Sequence, residues 1–144
     1  MLAFQSFETN QAILGLINKL IIYIKLKSKN IDPKISDREI KNAKEKVIEF
    51  LKKLDTSLEN RLHSNILYGM DERNRMLVRN FLEAKSKAKK FKSPLFKQSP
   101  SGVIKLLEKP NFYIEASLVD SLSDLRTLIE EHLTVDIKEL IGDI

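Results

Sequence analysis

Apolar residues recur along most of this chain at intervals of three and four, the spacing that gathers them on one side of an α-helix. From about Glu8 to Lys27, Ile13, Leu16, Ile17, Leu20, Ile21 and Ile24 form a wide stripe, with Gln11, Asn18 and Lys25 spaced by seven on the other side. A stripe that wide usually touches two neighbours. It reads as a central core helix or, alternatively, as a surface buried by another subunit, so Ile13, Leu16, Ile17, Leu20 and Ile24 are candidate subunit-interface residues.

Asn30, Asp32 and Pro33 end the first helix, and Ser36-Asp37-Arg38-Glu39 opens a second. There a Ser at the cap and a Glu three residues on can satisfy orphan amides reciprocally. Ile40, Ala43, Val47, Phe50, Leu51 and Leu54 supply its core face. Thr56 with Glu59 offers another capping box, so Leu58, Leu62 and Ile66 either belong to a separate short helix or prolong the second. Gly69 stops this region, and Asp71 caps a helix reaching Phe91. Its Leu77, Phe81, Ala84, Ala88 and Phe91 share one face, and Arg75, Arg79, Glu83, Lys87 and Lys90 follow another.

Ser93-Pro94 and Ser99-Pro100-Ser101-Gly102 bracket a turn-rich connection, and Val103 to Lys109 allows at most two helical turns before Pro110. Beyond it two periods overlap. Phe112, Ile114, Ala116 and Leu118 alternate with Tyr113, Glu115, Ser117 and Val119 as in a half-buried strand, whereas Leu118, Leu122, Leu125, Ile129 and Leu133 keep helical spacing. The expectation is a short strand to about Val119 and then a helix. The predicted fold class is therefore mainly α: a helical bundle over residues 1–98, a linker over 99–110, and a small C-terminal appendage over 111–144. That appendage is either strand plus helix or a reduced β-rich domain.

Composition narrows the chemistry. Hydrophobic residues make up 42% and charged ones 31% of 144 residues, a globular balance rather than a disordered one, and the length suits one domain with at most a small addition. No Cys is present, which removes disulfides, thiolate metal cages and thiol nucleophiles. His63 and His132 have no second His or carboxylate at a known metal spacing, and no phosphate-cradling or nucleophile-elbow motif occurs. Glu130 and Glu131 are adjacent, so on a helix they diverge rather than converge as an acid and base must. Neither a catalytic residue, a metal nor a cofactor is expected. MLAFQSFETNQ lacks a basic leader, and the apolar stretch from Ala12 to Leu26 is cut by Asn18, Lys19 and Lys25. The expected location is cytoplasmic, or nuclear in a eukaryote, without membrane contact.

Charge is segregated. Residues 1–69 carry 12 basic and 8 acidic side chains, residues 70–110 carry 11 and 4, and residues 111–144 carry 2 and 8. A basic middle beside an acidic end serves internal complementarity, orientation in an assembly, or a polyanion-binding surface. Within the basic run Arg73, Arg75, Arg79, Lys87 and Lys90 are candidates for contact with a partner or with a phosphate backbone. A solvated helix face is the simpler account, and no aromatic residue interleaves them as a base-stacking platform would.

The layout also resembles subunits of the GINS complex, the helical assembly factor of archaeal and eukaryotic replicative helicases. NIDPKISDREIKNAKEKVIEFLKKL is similar to the loop and helix that precede the main hairpin of the family's helical domain, and MDERNRMLVRNFLEAKSKAKKF to its most recognisable helix. KPNFYIEASLVDS looks like the strand that opens the family's small β-rich domain, bringing the resemblance to roughly residues 30–120. A departure accompanies it: the 34 residues after Pro110 include a helical stripe where the family has strands, which implies a small domain that is reduced, altered or absent. The resemblance implies an architectural role in DNA replication, with helical domains packing into a tetramer that bridges the MCM helicase to a RecJ-like partner. A different class stays open: a small, basic, helical nucleic-acid-binding protein, such as a CRISPR effector small subunit or a mobile-element regulator.

Overall fold

The computed structural model describes residues 7–59, 72–86, 95 and 99–141, with side chains at 11–56, 75–83, 95 and 99–130. Among them lie five α-helices: α1 (Phe7–Ser28), α2 (Asp37–Glu59), α3 (Glu72–Ser86), α4 (Pro100–Glu108) and α5 (Ser117–Ile141). A short 3-10 turn, Phe112–Ile114, separates α4 from α5.

Local chemistry accounts for the helix boundaries. Asn30 stops α1 by adopting φ 58°, a left-handed conformation that Asn tolerates better than most residues. It sets up paired terminal bonds, Ile31 N–H to the Leu26 carbonyl at 2.9 Å and Asn30 N–H to that of Lys27 at 3.0 Å. This is the Schellman arrangement, which satisfies carbonyls the helix leaves over. Asp32 then accepts the Lys34 N–H at 2.9 Å and tightens the turn. Ser36 caps α2 as its sequence predicts, its Oγ accepting the Glu39 N–H at 3.1 Å. The Glu39 carboxylate lies 3.6 Å from Lys19 Nζ, tying the start of α2 to α1. Thr56 does not open a new helix: its Oγ1 donates to the Lys52 carbonyl at 2.9 Å, a back-bond within α2, which runs on to Glu59. Leu62 and Ile66 lie outside the described residues.

One hydrophobic cluster draws on every helix. It includes Ile17 and Leu20 of α1, Phe50 and Leu54 of α2, Leu77 and Phe81 of α3, Val103 and Leu107 of α4, and Leu118 and Leu122 of α5, with Leu95 also fully buried. Helix α1 packs against α2 on one side and α5 on the other, and also meets the 3-10 turn; α4 covers α2, and α3 lies on α5. A stripe as broad as that of α1 is thus consumed by several neighbours of its own chain. Across the α1–α5 contact a part-buried polar bond intervenes, Arg126 donating to Asn18 Oδ1 at 2.8 Å.

Two expectations need correction. The strand to Val119 is not formed: Phe112–Ile114 is a 3-10 turn and α5 begins at Ser117. The helical spacing of Leu118, Leu122, Leu125 and Ile129 prevailed because all four can then face one core, where each is buried. The other correction concerns α4, which spans nine residues and buries Pro100, Val103, Ile104 and Leu107 in a stretch the sequence reading treats as a linker of at most two turns.

Candidate interaction surface

The two sets of candidate residues have different fates. In α1, Ile13, Ile17, Leu20 and Ile24 are buried in the chain's own core and Leu16 packs partly buried against it. Of the two readings of this stripe, the core helix is the arrangement seen in the single chain. In α3, Leu77, Val78 and Phe81 are buried while Arg79 is exposed and Arg75 half-buried. Arg73 lies in the same helix, its side chain outside the described set, and Lys87 and Lys90 lie outside the described residues altogether. The cation row is therefore placed at Arg75 and Arg79 only.

A constellation that the sequence reading did not single out lies at the C-terminal end of α1. Tyr23, in α1, stacks on Phe112 with ring centroids 5.7 Å apart and planes 14° from parallel. Tyr113 stands edge-on to both, at 6.3 Å from Tyr23 and 6.1 Å from Phe112. Three ring quadrupoles gathered this way attract cations. Lys27 Nζ sits 5.3 Å from the Tyr113 centroid and 5.7 Å from that of Tyr23, and Lys44 Nζ of α2 lies 4.7 Å from that of Phe112. An ion pair from Lys109 Nζ to Glu115 at 2.8 Å spans the 3-10 turn that carries Phe112 and Tyr113. Tyr113 also donates to Asn111 Oδ1 at 3.3 Å.

The 3-10 turn does further work by exposing the side chain next in line. Phe112 points into the core, and two residues on Ile114 is 69% exposed. Between the end of α1, this turn and the start of α5 opens a groove of about 430 Å³. Ile24, Tyr113, Ile114, Ala116 and Val119 give it apolar walls, and Lys25 and Lys27 stand among its polar lining. Among the described residues neither lysine forms an ion pair. The groove can therefore offer apolar contact and uncompensated positive charge together. Its one legible hint in the sequence is Ile22-Tyr23-Ile24-Lys25-Leu26-Lys27, a helix end where lysines interrupt the apolar stripe.

What fold and surface define at this level is a class: a mainly helical domain in which, among the described residues, no three His, Asp or Glu side chains gather as a metal site would need and no helix is long and apolar enough to cross a membrane. Comparison with protein-family models, curated proteins and solved structures finds no match to the chain.

Proposed function

We propose that this chain is a non-enzymatic assembly subunit and, more finely, part of a GINS-like DNA replication complex that bridges the MCM helicase and a RecJ-like partner. The groove is the observation that carries the first part. It places the exposed Ile114 beside Lys25 and Lys27, which are unpaired among the described residues. Protein interfaces use this combination, apolar contact for burial and charge for register and choice of partner. The finer part rests on the resemblance through α2 and α3, both helical, and is weakened where KPNFYIEASLVDS forms a 3-10 turn and a helix start rather than a strand. Capture of the tagged chain from its native host, followed by mass spectrometry, tests it. Recovery of helicase or other replisome subunits supports the assignment, and a catch without any of them refutes it.

Lysines seated on aromatic rings favour a second reading, a small helical nucleic-acid-binding protein, because phosphate and base recognition draws on the same residue types. Titration against labelled single- and double-stranded oligonucleotides separates the two. Phosphate binding loses affinity with a log-log salt slope of roughly −0.7 to −0.9 per phosphate neutralised. Reversal of Arg75, Arg79, Lys87 and Lys90 to Glu abolishes such binding if this basic run makes the contact. In the assembly reading the parent binds neither oligonucleotide even at low salt.

A further inference from the structure

We infer that the groove between α1, the 3-10 turn and α5 receives the acidic C-terminal segment of a second copy of this chain. The inference deepens the assembly reading and rests on it. Charge complementarity is the first argument. The groove offers Lys25 and Lys27, whereas residues 130–144 carry Glu130, Glu131, Asp136, Glu139 and Asp143 against a single cation, Lys138. Apolar pattern is the second. Leu133, Ile137 and Leu140 follow one another at four and three residues, and helix α5 continues to Ile141, so the backbone assigns the three to one helical face. Asp136 lies one residue from Ile137 and four from Leu140, and Glu130 lies three residues before Leu133, so these two carboxylates flank the stripe on its two sides. An apolar ridge with a carboxylate margin matches an apolar groove with a lysine margin.

Reach decides that the segment comes from another molecule. Val119 lines the groove near the start of α5, and at 1.5 Å per residue the helix carries positions 133 to 141 about 20 to 33 Å away from it along its axis. A continuous helix cannot turn back to its own first turns, so the groove and the tail of one molecule sit at opposite ends of α5. Pairing them between molecules is a head-to-tail contact, in which different patches meet, and it propagates until rotation closes a ring or continues as a filament.

Sedimentation velocity on the full chain tests this with charge reversal. The parent is expected to show species beyond dimer as concentration rises to about 100 μM, in the range of a weak to moderate interface. Lys25→Glu with Lys27→Glu in one chain, or Glu130→Lys with Asp136→Lys in another, should each weaken association by at least about tenfold, as reversal of close interfacial charges does. Mixing the two variants should restore it, since each then supplies the partner the other lost. Because Lys27 also contacts aromatic rings, Ile114→Asp serves as an independent variant; its side chain is largely exposed, so the fold is retained while the groove is spoiled. Circular dichroism checks that each variant is folded. A monomeric parent, variants that associate like the parent, or a mixture that stays dissociated each overturn the inference. A monomeric parent that still captures replisome subunits from its host leaves the assembly reading standing, so the two failures are distinguishable.

Discussion

Truncation of Phe81 to Ala probes the packing of α3 most directly. Phe81 has no exposed surface, its neighbours Leu77 and Val78 on the same helix are 2% and 1% exposed, and α3 lies against α5. Removing the ring takes away roughly 100 Å² of buried apolar surface, about 2.5 kcal/mol at 25 cal/mol per Å². The cavity left behind raises the cost to about 3 to 5 kcal/mol, because a packed core relaxes only in part. For a domain of this size that corresponds to a fall in Tm of roughly 10 to 20 °C. Thermal melts by circular dichroism, with urea unfolding to check that the m-value is unchanged, measure it. Phe81→Leu, which retains most of the volume, should cost about 1 to 2 kcal/mol. Lys41→Ala, on the exposed face of α2, should stay within about 0.5 kcal/mol of the parent. If Phe81→Ala melts within about 2 °C of the parent, the side chain is not in the core and the docking of α3 on α5 is wrong.

Two substitutions should stabilise the fold. Gly15 is exposed in the interior of α1 with nothing within 4 Å of where a Cβ would sit, so Gly15→Ala should raise stability by about 0.5 to 1 kcal/mol; a loss in urea unfolding would mean that position is covered. Ser121 is 1% exposed and its hydroxyl has no hydrogen-bond partner among the described residues, so Ser121→Ala removes a desolvated polar group worth about 1 to 3 kcal/mol; a lower Tm would show that the hydroxyl is satisfied after all.

Much of the helical framework is legible in the sequence, and particular residues show why. The stripe Ile13 to Ile24 and the stripe Ile40 to Leu54 repeat with a helical period for long enough to exclude alternation, and Ser36 and Asn30 carry local chemistry that marks a start and a stop whatever the helices pack against. A cap depends on bonds within a few residues, so the chain specifies it alone. The segment from Phe112 to Val119 lacked that security. Four alternations fit a strand, but the same residues lead into a helical stripe, and only burial of Leu118 and Leu122 against the shared core selects between the two periods.

The candidate site was less accessible still. Nothing local relates Tyr23 and Lys27 to Tyr113, which is about ninety residues further on; their meeting depends on how α1 packs against the 3-10 turn. Periodicity showed that the α1 stripe is broad, yet not whether α2 and α5 or a second subunit covers it, because apolar surface is indifferent to whose side chain excludes the water. The sequence by itself determined where α1 ends and α2 begins, and which faces of these helices shun water, since those properties arise from neighbours within one or two turns. Tertiary structure alone decided which faces were consumed internally and that Lys25, Lys27 and Ile114 were left standing around an open groove, because that outcome depends on the directions in which distant helices cross.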